Sequence, residues 1–134
     1  VSDRLMMTIL DEIDVADVRR QARDFALALG FRSAASYRLA TAVSELAHNL
    51  HFHAYPGGSI RLSRLAEDDR IGIEIVALDA GPGIPDLGLA MRDGYSTNRG
   101  LGAGLPGVLR LADDFAIESE TGTGTRVTAT FWRP

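Results

Sequence analysis

Along this chain the spacing of apolar residues changes from a short strand-like run to two long helical stripes and then back to strands. Leu5 to Ile13 (LMMTILDEI) is apolar with partial alternation and reads as a first strand at a sheet edge. Asp14 then offers an N-cap to a helix whose apolar positions, Val15, Val18, Ala22, Phe25, Ala26 and Leu29, recur at helical spacing, with Arg19, Arg20, Arg23 and Asp24 turned outward. Gly30 ends it. Ser33 caps a second helix from Ala34 to about Tyr55, with a buried stripe of Leu39, Val43, Leu46, Ala47 and Leu50 and a stop at Pro56-Gly57-Gly58.

Beyond that stop the pattern turns to strands. Ser59 to Leu65 alternates, with Ile60, Leu62 and the stem of Leu65 marking the inner face, and Glu67-Asp68-Asp69 makes an acidic turn. The next strand carries Ile71, Ile73, Ile75, Val76 and Leu78 and delivers Asp79 to its mouth. Leu105 to Leu111 is helix-compatible, Phe115 to Ser119 is a strand, and Thr121 to Gly124 turns tightly into a last strand, Arg126 to Trp132. These elements predict an α+β fold, a two-layer α/β sandwich with helices on one face of a mixed, mainly antiparallel sheet.

Composition narrows the class. A chain of 134 residues fits one domain spanning 1–134 with a real core. Fourteen basic against 18 acidic residues give a formal charge of -4, and no basic run stands out, so nucleic acid or an anionic membrane gains no compositional support. The absence of cysteine excludes disulfides and thiolate metal sites and fits a reducing cytoplasm. Every apolar run is far shorter than a bilayer needs, so a soluble cytoplasmic protein is expected.

Two stretches carry candidate chemistry. Between Asp79 and Gly104 an acid stands at a strand end, followed by Gly81 and Gly83 and then by Gly100, Gly102 and Gly104 ahead of a helix, where free amides hold an anion. An acid at one end and an amide nest at the other suggest a nucleotide, base to phosphates. Plain turn geometry also accounts for DxGxG, and GLGAG lacks the GK[ST] of a Walker loop. On the second helix, Glu45 and Asn49 stand at i and i+4, which stacks a carboxylate and an amide on one face. A solvated polar face is the ordinary explanation. Flanking Leu46, Ala47 and Leu50 argue for a partly covered face, and a carboxylate with a neutral oxygen ligand suits Mg²⁺-dependent phosphoryl transfer. His48, His51 and His53 lack the cysteine or spaced carboxylate that would complete a zinc set and read as helix-end residues.

Four segments in order, Glu45-x-x-x-Asn49, Asp79-x-Gly81-x-Gly83, Gly100-x-Gly102-x-Gly104 and Gly122-x-Gly124-Thr125, resemble the N, G1, G2 and G3 boxes of the GHKL ATP-binding superfamily. The stretch from Asp79 to Phe115 most resembles the small serine/threonine switch kinases of the RsbT type, which serve bacterial partner-switching and stressosome signalling. His53-Ala54-Tyr55 is instead similar to the HAY triplet of the anti-sigma kinases of the RsbW and SpoIIAB type.

The resemblance implies ATP and Mg²⁺ as cofactors and a role for each matching residue. Asp79 would accept a hydrogen bond from the adenine amino group, with Gly81 and Gly83 letting backbone approach the base. Asn49 would ligate Mg²⁺, and Glu45 would be the general base for an incoming serine or threonine hydroxyl. Gly100, Leu101, Gly102, Ala103 and Gly104 would line the phosphates, Arg99 would steady the γ-phosphate, and Thr125 would support the adenine end. Residues 84–99 would form a lid that keeps water from the transferring phosphate.

Three functions follow. The first is a switch kinase that phosphorylates a STAS-domain antagonist and, once released, activates a PP2C-type phosphatase. The second is an anti-sigma kinase that sequesters a sigma factor, and the third is a nucleotide-dependent binding module without transfer activity. Either a monomer or a homodimer is compatible with the sequence, without nucleic acid or membrane as a partner.

Overall fold

The computed structural model describes residues 3–53, 58–79, 104–120 and 124–134. Five strands form one sheet in the order β1-β2-β3-β5-β4: β1 Arg4–Ile9, β2 Gly58–Glu67, β3 Arg70–Asp79, β4 Asp114–Glu120 and β5 Gly124–Trp132. All four pairings are antiparallel. Three helices complete the described fold, α1 Glu12–Ala28, α2 Ser33–His53 and α3 Gly104–Leu111. Helix α2 lies over β1, β2 and β3 and packs between α1 and α3, while α1 reaches β1 and α3 reaches β4.

Period-two alternation decides which side chains meet the helices. Met7 and Ile9 of β1, Ile60 and Leu62 of β2, Ile73, Ile75 and Ala77 of β3, and Val127, Ala129 and Phe131 of β5 join the core with Val18, Ala22, Leu39, Val43 and Leu46. The expected stripe of α2, Leu39, Val43, Leu46, Ala47 and Leu50, is buried throughout. Replacing Leu39 or Leu46 with alanine would cost about 2–5 kcal/mol in such a core. Leu65 does not share the inner face. It pairs with Gly72 in an unbroken register, three residues beyond Leu62, and three steps along a strand reverse the side.

The N-terminal strand is shorter than the apolar run suggests, because a capping box starts the helix early. Asp11, not Asp14, is the N-cap: its carboxylate accepts from the Ile13 amide at 3.2 Å. Asp14 occupies the third helical position, and its Oδ2 accepts from the amides of Leu10 and Asp11 at 2.9 and 3.2 Å. Glu12 and Ile13 therefore belong to α1, and Ile13 is 76% exposed. At the other end Gly30, at φ +90°, lets its own amide reach Leu27 O and the Phe31 amide reach Ala26 O, both at 3.0 Å, the double bond of a Schellman stop. Helix α2 starts at Ser33 itself, with Arg32 O accepting from the Ser36 amide at 2.8 Å.

The acidic hairpin turn between β2 and β3 is confirmed. Asp68 and Asp69 have φ of 49° and 67°, the pair of left-handed residues a two-residue hairpin turn needs, and Glu67 pairs with Arg70. Strand β4 is one residue longer than expected at each end, and β5 starts two residues earlier, at Gly124, so that Thr125 lies inside β5.

Candidate active site

Asp79 is the final residue of β3 and follows Ile73, Ile75 and Ala77 in the alternation, which places it on the helix side of the sheet. On β5, Thr125 follows the same rule with Val127 and Ala129. The register runs Ala77 to Val127 and Leu78 to Arg126. Carried one step further, it sets Asp79 across from Thr125. Two residues 46 positions apart in sequence thus share one corner of the sheet's inner face.

Helix α2 supplies the opposite wall. Among the described residues only four polar ones are buried, Ser36, Ser44, Glu45 and Thr125, and two of these are sequence-predicted site residues. Ser36 has a local explanation, since its hydroxyl faces Phe31 O at 3.4 Å. A carboxylate only 5% exposed, as Glu45 is, stands on no solvated polar face. One turn on, Nδ2 of Asn49 is buried without a hydrogen-bond partner among the described residues. Such a buried donor is one that an ordered water, an ion or a ligand would satisfy. Rotation of the amide by half a turn puts its oxygen in the same place, so the position suits an oxygen-seeking cation.

Helix and strand end are brought together by a bare backbone position. Gly58 pairs with Asp79 at the head of β2. A Cβ on Gly58 would meet Leu50 Cδ2 at 2.7 Å and Leu78 O at 2.3 Å, so α2 rests directly on the sheet one residue beyond Asn49. Expected as part of a helix stop, Gly58 instead opens β2. Its signal was present, a glycine opening a strand, where missing side chains mark close backbone approach.

Helix α3 begins at Gly104, the last of the three glycines, and Pro106 fits its first turn. Arg38 of α2 donates to Leu111 O at its far end, 3.3 Å away. Gly81, Gly83, Arg99, Gly100, Leu101, Gly102 and Ala103, together with the expected lid at 84–99, lie outside the described residues. Among the described residues no helix is long and apolar enough to cross a membrane.

The family model of the histidine kinase-like ATPase domain matches residues 9–131 of this two-layer sandwich, whose central helix carries the carboxylate and the amide and whose strand end carries the acid. The chain belongs to that family. It is 42% identical over 132 residues to the serine/threonine-protein kinase RsbT of Bacillus subtilis (strain 168), covering 98% of each chain, and is a serine/threonine protein kinase of this kind. An anti-sigma F factor of Caldanaerobacter subterraneus subsp. tengcongensis is 35% identical over 95 residues, 67% of this chain and 65% of that protein. In fold, the chain resembles the crystal structure of the RsbU and RsbW domains of Rv1364c from Mycobacterium tuberculosis, with a TM-score of 0.67 at 21% identity over 99% of this chain and 34% of that one. The SiaB-SiaC complex from Pseudomonas aeruginosa gives 0.63 at 13% identity over 95% and 88%.

Proposed function

We propose that this kinase transfers the γ-phosphoryl group of ATP, with Mg²⁺, to a serine or threonine of a STAS-domain antagonist and, when released, activates a PP2C-type phosphatase. The observation that carries the reading is the pairing of a buried carboxylate, Glu45, with the orphan amide of Asn49 one helical turn away. Similarity to RsbT along the full chain supports it.

Each residue then has a task. Glu45 takes the proton of the acceptor hydroxyl as its oxygen bonds to the γ-phosphorus; the bond from that phosphorus to the bridging oxygen breaks and ADP departs. Asp79 accepts from the adenine amino group, and Thr125, across the strand pair, offers its hydroxyl to the same end. Asn49 would hold Mg²⁺ through its side-chain oxygen; the ion, when bound, neutralises charge on the phosphate oxygens. Gly100, Gly102 and Gly104 present amides to the phosphates ahead of α3, with Arg99 beside them.

Incubation with radiolabelled ATP, Mg²⁺ and a purified STAS-domain protein tests this. Label should move to the STAS protein, and Glu45→Gln should lower the transfer rate by about 10²–10⁴-fold, the usual size of a general-base effect, without weakening nucleotide binding. Transfer that survives the substitution would remove Glu45 from its role. An anti-sigma function is favoured by one feature, the HAY triplet at 53–55, together with the anti-sigma F relatives. Retention of a sigma factor on the immobilised chain in the presence of ATP, with none of the phosphatase, would select it.

A further inference from the structure

On the side chains of α1 and the first turns of α2 lies a cleft of about 240 Å³, lined by Ala16, Arg19, Arg20, Arg23, Tyr37 and Ala40. None of these belongs to the candidate active site. We propose that this cleft is the docking site for an acidic segment of a partner protein, carrying aspartate or glutamate side chains.

The arginines are held ready and are weakly committed. Arg19 lies over the Tyr37 ring, its Cζ 5.0 Å from the centroid, and it has no carboxylate partner among the described residues. Arg20 pairs with Asp17 at 2.8 Å and Arg23 with Asp24 at 4.0 Å, but all four side chains are more than half exposed. Such pairs contribute little in water, so an incoming carboxylate displaces them at small cost. Ala16 and Ala40 leave the floor open for it.

The residue types select the ligand. Every one of the 14 basic residues in this chain is an arginine, and three of them fall between positions 19 and 23. A guanidinium fork matches a carboxylate with two parallel hydrogen bonds. Tyr37, 58% exposed, adds an aromatic face, and tyrosine and arginine are both among the residues enriched where protein interfaces draw their affinity. Nucleic acid would need a longer basic track than one flanked by Asp17 and Asp24 on a chain of net charge -4. A guanidinium fork also matches phosphate, so inorganic phosphate is the control that separates a small anion from an acidic segment. Tyr37 precedes Glu45 by eight residues on α2, roughly 12 Å along the axis, so a partner anchored here stays within reach of the active site.

The test uses the isotope-labelled full chain and an octaglutamate peptide, read by NMR on the arginine Nε–H groups and the Tyr37 ring. Saturable shifts centred on Arg19, Arg23 and Tyr37 are expected, weakening as ionic strength rises, with octalysine inert. Arg19→Glu with Arg23→Glu should weaken binding at least about tenfold, and Tyr37→Ala, at an exposed position, should weaken it severalfold with the fold intact. Shifts centred elsewhere, an equal response to inorganic phosphate, or unchanged affinity in both variants would overturn the proposal. ATP titrated into the same sample separates the two readings: a chain that takes ATP but ignores octaglutamate sinks only the docking site, and the reverse sinks only the kinase chemistry.

Discussion

Leu50 of α2 stands on Gly58 of β2 so closely that its Cδ2 lies 2.7 Å from where a Cβ on that glycine would be. Gly58 is the cross-strand partner of Asp79. The distance between the helix that carries Glu45 and Asn49 and the strand end that carries the predicted adenine-binding acid is therefore set by a side chain that is not there. On the proposed function, this packing constraint couples the stability of the corner to nucleotide affinity.

Gly58→Ala tests that link. The new methyl would also meet Leu78 O at 2.3 Å, and backbone cannot swing aside as a side chain can. Overpacking of this kind costs about 1–3 kcal/mol. A lower thermal midpoint is expected together with weaker ATP binding measured by calorimetry at a temperature where the variant is folded. Unchanged ATP affinity in a destabilised variant would show that the contact serves packing alone.

The start of α1 gives a second prediction. Asp11→Ala removes the cap on the Ile13 amide and should cost about 1 kcal/mol, read by denaturant unfolding. Asp14→Ala should also destabilise, because it strips the acceptor from the Leu10 and Asp11 amides. If Asp14→Ala destabilised and Asp11→Ala did not, the cap would be at Asp14 after all.

That pair of aspartates shows where the sequence was legible and where it was not. Helices and strands are readable because burial imposes a period: Leu39, Val43, Leu46 and Leu50 of α2 and Ile73, Ile75 and Ala77 of β3 are buried where helical and strand spacing put them. Two aspartates three residues apart both satisfy a cap signature, and only the hydrogen-bond geometry separates the cap from its third helical position. Leu65 falls on the face opposite Ile60 and Leu62 because parity, not apolar character, sets the side. At the candidate site, i and i+4 placed Glu45 beside Asn49 from sequence alone. The meeting of Asp79 with Thr125 depends on β5 lying between β3 and β4, and strand order leaves no local mark. The same holds for Arg19, read as an outward-facing charge: its ring partner, Tyr37, comes from another helix.

Long-range capping yields a third prediction. Helix α1 has no basic residue in its last turn, and Arg133, 104 residues away, donates from Nη1 to Leu29 O at 2.8 Å. Its backbone amide donates to Ile71 O at 2.7 Å, which holds the chain end against β3. Arg133→Ala should lower stability by about 1 kcal/mol, a charge-assisted bond to a helix end partly offset by exposure, and Arg133→Lys should recover only part of it. Equal unfolding midpoints for all three proteins would assign the contact no energetic weight.

The fourth prediction separates binding from stability at Asn49. Its buried Nδ2 has no partner among the described residues, and an unsatisfied buried donor costs about 1–3 kcal/mol. Asn49→Ala removes that donor, so the nucleotide-free variant should unfold at the same temperature as the parent or slightly above it, an unusual result for truncating a half-buried side chain. In exchange, ATP affinity measured with Mg²⁺ should fall by at least about tenfold, or 1.4 kcal/mol, while affinity measured in EDTA should change little. A residue kept only for packing would give the opposite pattern, a lower midpoint and no dependence on the ion. Stability gained and metal-dependent affinity lost in one substitution would mark Asn49 as a group that folding leaves unsatisfied so that a ligand can complete it.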